Sequence, residues 1–404
     1  MQKFEKHSPV VVTEVTTKHE LRQFMQYPNR LYADNPNYIP SFYGDDLSDW
    51  TPGKNPAFDY CEARCWLARR DGEIVGRIGA ILSHKANDKF GTHRMRFSQV
   101  DFVDDSEVSA ALFGTVERWA REKGCDQVHG PLGFTDMDRE GMLVEGFDRR
   151  SLFFTNYNAP YYLEHLTRLG YRKDVDWIEY RITVPEPGGA EAERLHKLSE
   201  FILKRKHLHV ATVHHKSEYG PFVRQVFELV NAAYAPLYGV VELSDEQIER
   251  YANKFIPLVD PDFVCFVVDE QDQLVAFGVT ALDPSVALKH SDGRLFPFGW
   301  AGVLNDLHHG DTLIMLLTAV RPDLQTEGIN AVMMDHVCQS CNRHGVRFAE
   351  TGPMLELNDH ILAQWKRLEK EQHKRRRCFI KDLDHDGNAP NAAAAAAAEA
   401  ECAQ

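Results

Sequence analysis

The stretch from Val320 to Val337, VRPDLQTEGINAVMMDHV, constrains this chain more than any other. An apolar run, Thr312 to Val320, precedes it and reads as a strand. An amphipathic pattern follows and reads as a helix from Thr326 to Arg343, closed near Gly345. The turn between them has Gly328 where the helix begins. A helix start carries unpaired N–H groups and the positive end of the dipole, so it suits a phosphate. A glycine there lets the phosphate approach the backbone. The same stretch reads equally as an ordinary strand, turn and helix, because short motifs arise by chance.

The rest of the chain reads as one plan used twice. A hairpin from Cys65 to Leu82 turns at Asp71-Gly72, and a second from Phe263 to Leu282 turns between Glu270 and Gln273. In the first half a strand (Met95 to Val103), a helix (Ser106 to Lys123), a short strand (Gln127 to Leu132), a helix (Pro160 to Leu169) and a closing strand (Trp177 to Ile182) follow. In the second half the order is Thr312 to Val320, Thr326 to Arg343, Arg347 to Pro353, Asn358 to Leu368 and Arg377 to Lys381. Residues 185–190, PEPGGA, read as a linker between a domain at 1–184 and one at 191–383. Residues 384–404 are rich in alanine and read as a disordered tail.

A strand, then V-x-P-x-x-Q/R-x-x-G-x-G/A, then a helix resembles the coenzyme A pyrophosphate loop of the GNAT acyltransferase superfamily. Val320, Pro322, Gln325 and Gly328 match, and Asn330 stands where Gly or Ala is usual. The resemblance implies an α/β (α+β) chain of two tandem GNAT-like domains, each a mixed, mostly antiparallel sheet flanked by helices. It implies a coenzyme A thioester, acetyl-CoA or a long-chain acyl-CoA, as co-substrate, with no metal. Val320, Gln325, Thr326, Glu327, Gly328, Ile329, Asn330, Ala331 and Asn358 would bind it. Over its whole length the chain also resembles bacterial tandem GNAT-like proteins. GPLGF, GMLVEGFD, YNAPYYLEHLTRLGYRK and GRLFPFG carry that impression. Some of that group look related to bacterial ceramide synthases, which implies a primary amine, small or lipid, as acceptor.

The halves differ at the loop. The first has Asp104, Asp105 and Glu107 at its helix start and no glycine, so its carboxylates repel a pyrophosphate. Only the second half is expected to bind coenzyme A. Many GNAT enzymes have a tyrosine seven residues after an asparagine; here Asn358 is followed by Trp365. Glu350, on the strand beside the expected thioester, is the candidate base, or else an edge carboxylate. Tyr161, Tyr162, Glu145 and Asp148 are candidates for an acceptor pocket, or else packed rings and solvated acids. An insert from Asp283 to Asp311, without obvious structure, carries Phe296, Phe298 and Trp300. It reads as extra core, as a groove for an apolar chain, or as a peripheral membrane contact. Lys374-Arg375-Arg376-Arg377 reads as a solvated strand edge, or as a contact for anionic lipid or the coenzyme A 3′-phosphate.

A formal net charge of -14 argues against nucleic acid and against an aminoacyl-tRNA donor of the Fem type. The opening residues lack a signal-peptide core, and no apolar run is long enough to span a bilayer. The eight cysteines show no disulfide framework, and Cys338 and Cys341 beside His336 and His344 read as buried thiols rather than ligands. A cytoplasmic chain is expected, its oligomeric state open. Two function classes stay in play. One is an acyl-CoA-dependent N-acyltransferase acting on a lipid, sphingoid-type or small polar amine. The other is a GNAT relic that binds acyl-CoA or a partner protein without turnover.

Overall fold

The computed structural model describes residues 8–383. The expected Ala-rich tail, 384–404, lies outside the described residues.

Fourteen strands form one sheet. The first-half strands are β1 (Val11–Glu14), β2 (Cys61–Arg70), β3 (Glu73–Ser83), β4 (Arg94–Phe102), β5 (Gln127–Gly130), β6 (Met142–Glu145) and β7 (Arg172–Thr183). The second half supplies β8 (His209–Val210), β9 (Val264–Val268), β10 (Leu274–Leu282), β11 (Thr312–Val320), β12 (Phe348–Glu350), β13 (Met354–Leu355) and β14 (Lys370–Asp382). The order across the sheet is β1-β2-β3-β4-β5-β14-β7-β12-β11-β10-β9-β8. Within each half the pairing is antiparallel except for one parallel ladder, β4 with β5 and β11 with β12. The sheet is therefore mixed, mostly antiparallel and flanked by helices.

The centre of the sheet shows what the repeat alone does not. The closing strand of each half sits in the other half. β14 pairs with β5 of the first half, and β7 pairs with β12 of the second. The two closing strands then pair with each other from Lys370↔Ile182 to Ile380↔Arg172. Neither half completes its sheet with its own chain.

This placement corrects the reading of the basic run as a solvated edge. β14 has a neighbour on both sides, and Lys374 and Arg376 are fully buried. Buried cations need partners. Glu179 on β7 supplies them, 2.5 Å from Arg376 Nε and 3.3 Å from Lys374 Nζ. Alternation along the strand turns Arg375 and Arg377 to the other face, where both pair with Asp176.

Three local expectations also change. The helix after β11 starts at Asn330, not Thr326, because Gly328 holds φ +81 and a right-handed helix cannot include it. The insert is helical, Ser285–His290 and Gly299–His309, because Leu288, Val303 and Leu307 supply a buried face. The helix expected from Asn358 to Leu368 covers only Asp359–Ala363.

Candidate active site

The loop from Arg321 to Ile329 lies between β11 and the Asn330–His344 helix. Gln325, Thr326 and Gly328 face solvent, whereas Ile329 is fully buried and anchors the helix start. Glu327 N–H donates back to Leu324 and Ala331 N–H to Gly328 (3.1 and 2.9 Å). The amides of Thr326 and Gly328 have no acceptor among the described residues. Gln325 Nε2 donates to the carbonyl of Val320 (3.3 Å), closing the loop on the strand end.

The sequence pattern did not point to the neighbour of this loop, the Ala190–Lys206 helix. A Cβ added at Gly328 would lie 3.2 Å from Ile202 Cδ1, and Lys206 Nζ is 2.6 Å from Glu327. The helix therefore brings Lys206 of its last turn onto the loop, with Arg205 near enough to act on Glu327. The signal available in the sequence was the basic end of FILKRK, residues 201–206.

A slot runs from the loop under the Asn330–His344 helix. Its cavity volume is about 90 Å³. It passes from Asn330 to Cys341, roughly 16 Å at the usual helical rise. Met315 and Leu317 of β11, Met333, Met334 and Val337 of the helix, and Trp365 line it. Trp365 is buried and donates its indole N–H to Met354 Sδ (3.2 Å). Asn358 caps the short helix before it through Ile361 N–H (3.3 Å).

The slot meets a gap in the sheet. β11 and β12 pair at Thr312↔Phe348, Leu313↔Ala349 and Ile314↔Glu350, and then part. The register of β10 on β11 skips Leu316, placing a bulge beside the gap. Leu313 and Ala349 face the slot helix. By alternation Ile314 and Glu350 face the opposite side, where the insert packs on Ile314.

Glu350 is therefore not an edge carboxylate. Lys374 Nζ donates to it at 3.2 Å, and His373 Nε2 lies 3.8 Å away. Burial raises the Glu350 pKa, and Lys374 opposes the rise. Burial also pushes His373 down to about 3, with Lys374 adding to the effect, so the ring is neutral at pH 7. Its Nε2 has no partner among the described residues. Burial would raise Glu179 as well, but Arg376 and Lys374 outweigh it and hold it at about 2. The group thus has a fixed carboxylate, Glu179, and a more basic one, Glu350, beside an unpaired imidazole. His373 escaped the sequence reading because it sits next to the basic run.

The same place in the first half is closed by its own chain. Asp105 caps the Ser106–Glu122 helix, accepting from the amides of Glu107 (2.8 Å) and Val108 (3.4 Å). Arg70 pairs with both Asp105 (2.5 Å) and Glu107 (2.8 Å). A carboxylate of the chain thus takes the amides that a phosphate would use.

The other candidates lie apart from the slot. Tyr162 is fully buried, stacked on Phe102 and bonded to Tyr32 (2.7 Å). Tyr161 donates to the carbonyl of Phe102. Glu145 pairs with Arg375 (3.2 Å), and Asp148 is exposed beside Arg149. Phe296, Phe298 and Trp300 project from the insert into solvent. A separate polar pocket of about 60 Å³ has Phe42, Asp46, Asp49, Asp138 and Phe153 from the first half and Lys254 from the second. His129, Asp174 and Cys378 converge as ligands might, but the Tyr238 hydroxyl bonds all three, at 2.9, 2.5 and 3.5 Å.

Comparison with solved structures places the architecture. A tandem GNAT protein from the clavulanic acid biosynthesis pathway superposes with a TM-score of 0.52, covering 93% of this chain and 99% of that one at 14% identity. A GCN5-related N-acetyltransferase from Sphaerobacter thermophilus gives 0.50, covering 93% and 96% at 13% identity. The fold is a tandem GNAT fold. No family model matches the chain. In sequence it is similar to protein YghO of Escherichia coli, 27% identical over 379 residues, 92% of this chain and 95% of that one. It is also similar to a bacterial ceramide synthase of Caulobacter vibrioides, 28% identical over 300 residues, 72% and 75% of the two chains. Within the tandem GNAT fold, the slot and the gap belong to the second half, and the closing strands carrying Glu179 and Lys374 join the two.

Proposed function

We propose that this chain is an N-acyltransferase that moves an acyl group from a coenzyme A thioester to a primary amine. One observation carries the reading. An apolar slot leads from an amide-lined, cation-flanked loop to a gap in the sheet, and Glu350 and His373 stand on the far side of that gap.

In this reading the pyrophosphate rests on the loop amides from Gln325 to Ala331 with Arg205 and Lys206 beside it. The thioester arm lies in the slot and the acyl carbonyl reaches the gap between β11 and β12. The amine comes from the opposite face. Glu350, whose pKa burial raises, takes its proton, nitrogen adds to the carbonyl, and the C–S bond breaks. The products are an amide and the coenzyme A thiol, which receives a proton as it leaves. Positioning across the gap supplies much of the rate. Trp365 has no proton to give, since its indole N–H is bonded to sulfur.

The acceptor we favour is a lipid amine of the sphingoid type. The similarity to a bacterial ceramide synthase supports it. A lipid acceptor calls for contact with the bilayer that holds it, and no helix among the described residues is long and apolar enough to cross one. The test is thiol release from acetyl-CoA and palmitoyl-CoA with sphinganine and with a panel of small amines. Release with palmitoyl-CoA and sphinganine together supports the reading. Release only with acetyl-CoA and a polar amine replaces the acceptor. Binding without release across the panel supports the non-catalytic alternative.

A further inference from the structure

The insert has two sides of opposite character. Leu288, Val303 and Leu307 are buried against Ala281 and Ile314 of the sheet and against Ile39 of the first half. The other side exposes Phe296 (80%), Phe298 (81%) and Trp300 (47%), with Val286 (50%) and Leu304 (44%) beside them. Single exposed apolar residues are ordinary, but a contiguous set marks an interaction surface.

The surface is held firmly. The carbonyl of Gly293 accepts from Tyr43 N–H (3.0 Å), Lys289 donates to the carbonyl of Asn35 (2.8 Å), and Asn29 donates to that of Asp292 (3.1 Å). Three of its polar side chains turn to its own backbone. Trp300 Nε1 donates to the Pro297 carbonyl (3.2 Å), and the rings of His308 and His309 bond the carbonyls of Leu304 and Asn305 (2.6 and 3.1 Å). A protein interface normally has a rim of groups free to bond a partner. This one presents rings and little else.

Charge points the same way. The chain has 60 acidic residues against 46 Lys and Arg, whereas from Asp292 to Asp306 the only charged side chains are Arg294 and those two flanking aspartates. Arg294 is exposed beside the aromatic tip. An acidic protein meets an anionic lipid surface best through such a face, and Trp and Phe beside a cation suit the boundary between headgroup and acyl chain.

We propose that the Phe296–Trp300 tip docks this chain on a phospholipid bilayer, the rings entering the boundary and Arg294 meeting lipid phosphate. On the buried side of the insert, Phe42 and Phe153 pack against it and also line the polar pocket between the halves. The proposal deepens the lipid-acceptor reading and rests on it only for the purpose of docking, since the surface is argued from its own chemistry.

The test is flotation of the full chain, without acyl-CoA, on vesicles of phosphatidylcholine and phosphatidylglycerol. The Phe296→Ser/Phe298→Ser double variant is compared with the unsubstituted chain. The unsubstituted chain floats, and the double variant partitions at least about tenfold less, a loss of about 1.4 kcal/mol. Equal melting temperatures and equal stabilisation by palmitoyl-CoA show that the variant folds and separate this test from the acyl-transfer reading. Absence of flotation, or equal flotation of both proteins, overturns the proposal. So does a dimer that the substitutions dissociate while neither protein floats, because the face is then an interface between copies.

Discussion

Lys374 donates to Glu350 at 3.2 Å from inside the sheet, and its ammonium is fully buried between that carboxylate and Glu179. The contact joins the last strand of the chain to the strand that borders the gap. It makes the exchange of closing strands a condition of the candidate site. With β14 elsewhere, Glu350 would have neither this cation nor His373 beside it.

Removing one member of a buried ion pair leaves the other uncompensated. Lys374→Met is expected to destabilise the fold by roughly 3–5 kcal/mol. Arg376→Met, which strips Glu179 of its other cation, should fall in the same range. The midpoint of urea unfolding reads both. A loss under about 1 kcal/mol at either position would mean the cluster is solvated in the folded protein.

Glu350→Gln keeps the shape and removes the proton acceptor. It should lower acyl transfer by about a hundredfold or more and leave stabilisation by acyl-CoA intact. An unchanged rate would rule Glu350 out as the base.

His373 has a folded pKa of about 3, depressed by burial and by Lys374. His129 is likewise pushed down by burial and by Arg96 and Arg94. The unfolded chain binds protons at these rings below about pH 6.5, and the folded chain does not. Stability should therefore fall as pH drops below about 6.5, and His373→Gln should flatten part of that slope between pH 6.5 and about 4. Melting temperatures across that range check it. A parallel slope in the variant would mean His373 is charged in the folded protein.

Asp105→Ala removes a helix cap and should cost about 1 kcal/mol. It should leave stabilisation by acyl-CoA unaltered, because the first-half site is closed by more than one group. Loss of the ligand effect would place a second acyl-CoA site in the first half.

Val337→Trp fills part of the slot while the loop stays open. Stabilisation by acetyl-CoA and by palmitoyl-CoA should both drop, as seen by differential scanning fluorimetry, because the slot holds the arm common to the two ligands. Loss of the palmitoyl-CoA effect alone would mean the slot holds the acyl chain instead.

The repeat was legible because hairpins, a glycine turn and amphipathic helices are local features. The tandem architecture followed from their order. The exchange of β7 and β14 was not legible, since nothing in Trp177 to Ile182 or Arg377 to Lys381 says which sheet edge each strand joins. The basic run misled for the same reason. Four cations look solvated until Glu179 and Glu350, 195 and 24 residues from Lys374, partner Lys374 and Arg376, and Asp176 partners Arg375 and Arg377. Gly328 was found as a loop residue, but its positive φ also moves the helix start to Asn330.

The most direct test of the account is the melting temperature of the purified chain with acetyl-CoA and with palmitoyl-CoA, beside Gly328→Asp. A ligand that binds only the folded state must raise it, by about 2.7 kcal/mol of stability at a hundredfold excess over Kd. The account predicts stabilisation by palmitoyl-CoA that is absent in Gly328→Asp, whose added carboxylate repels the pyrophosphate. No shift with either ligand, or an equal shift in the variant, would contradict it.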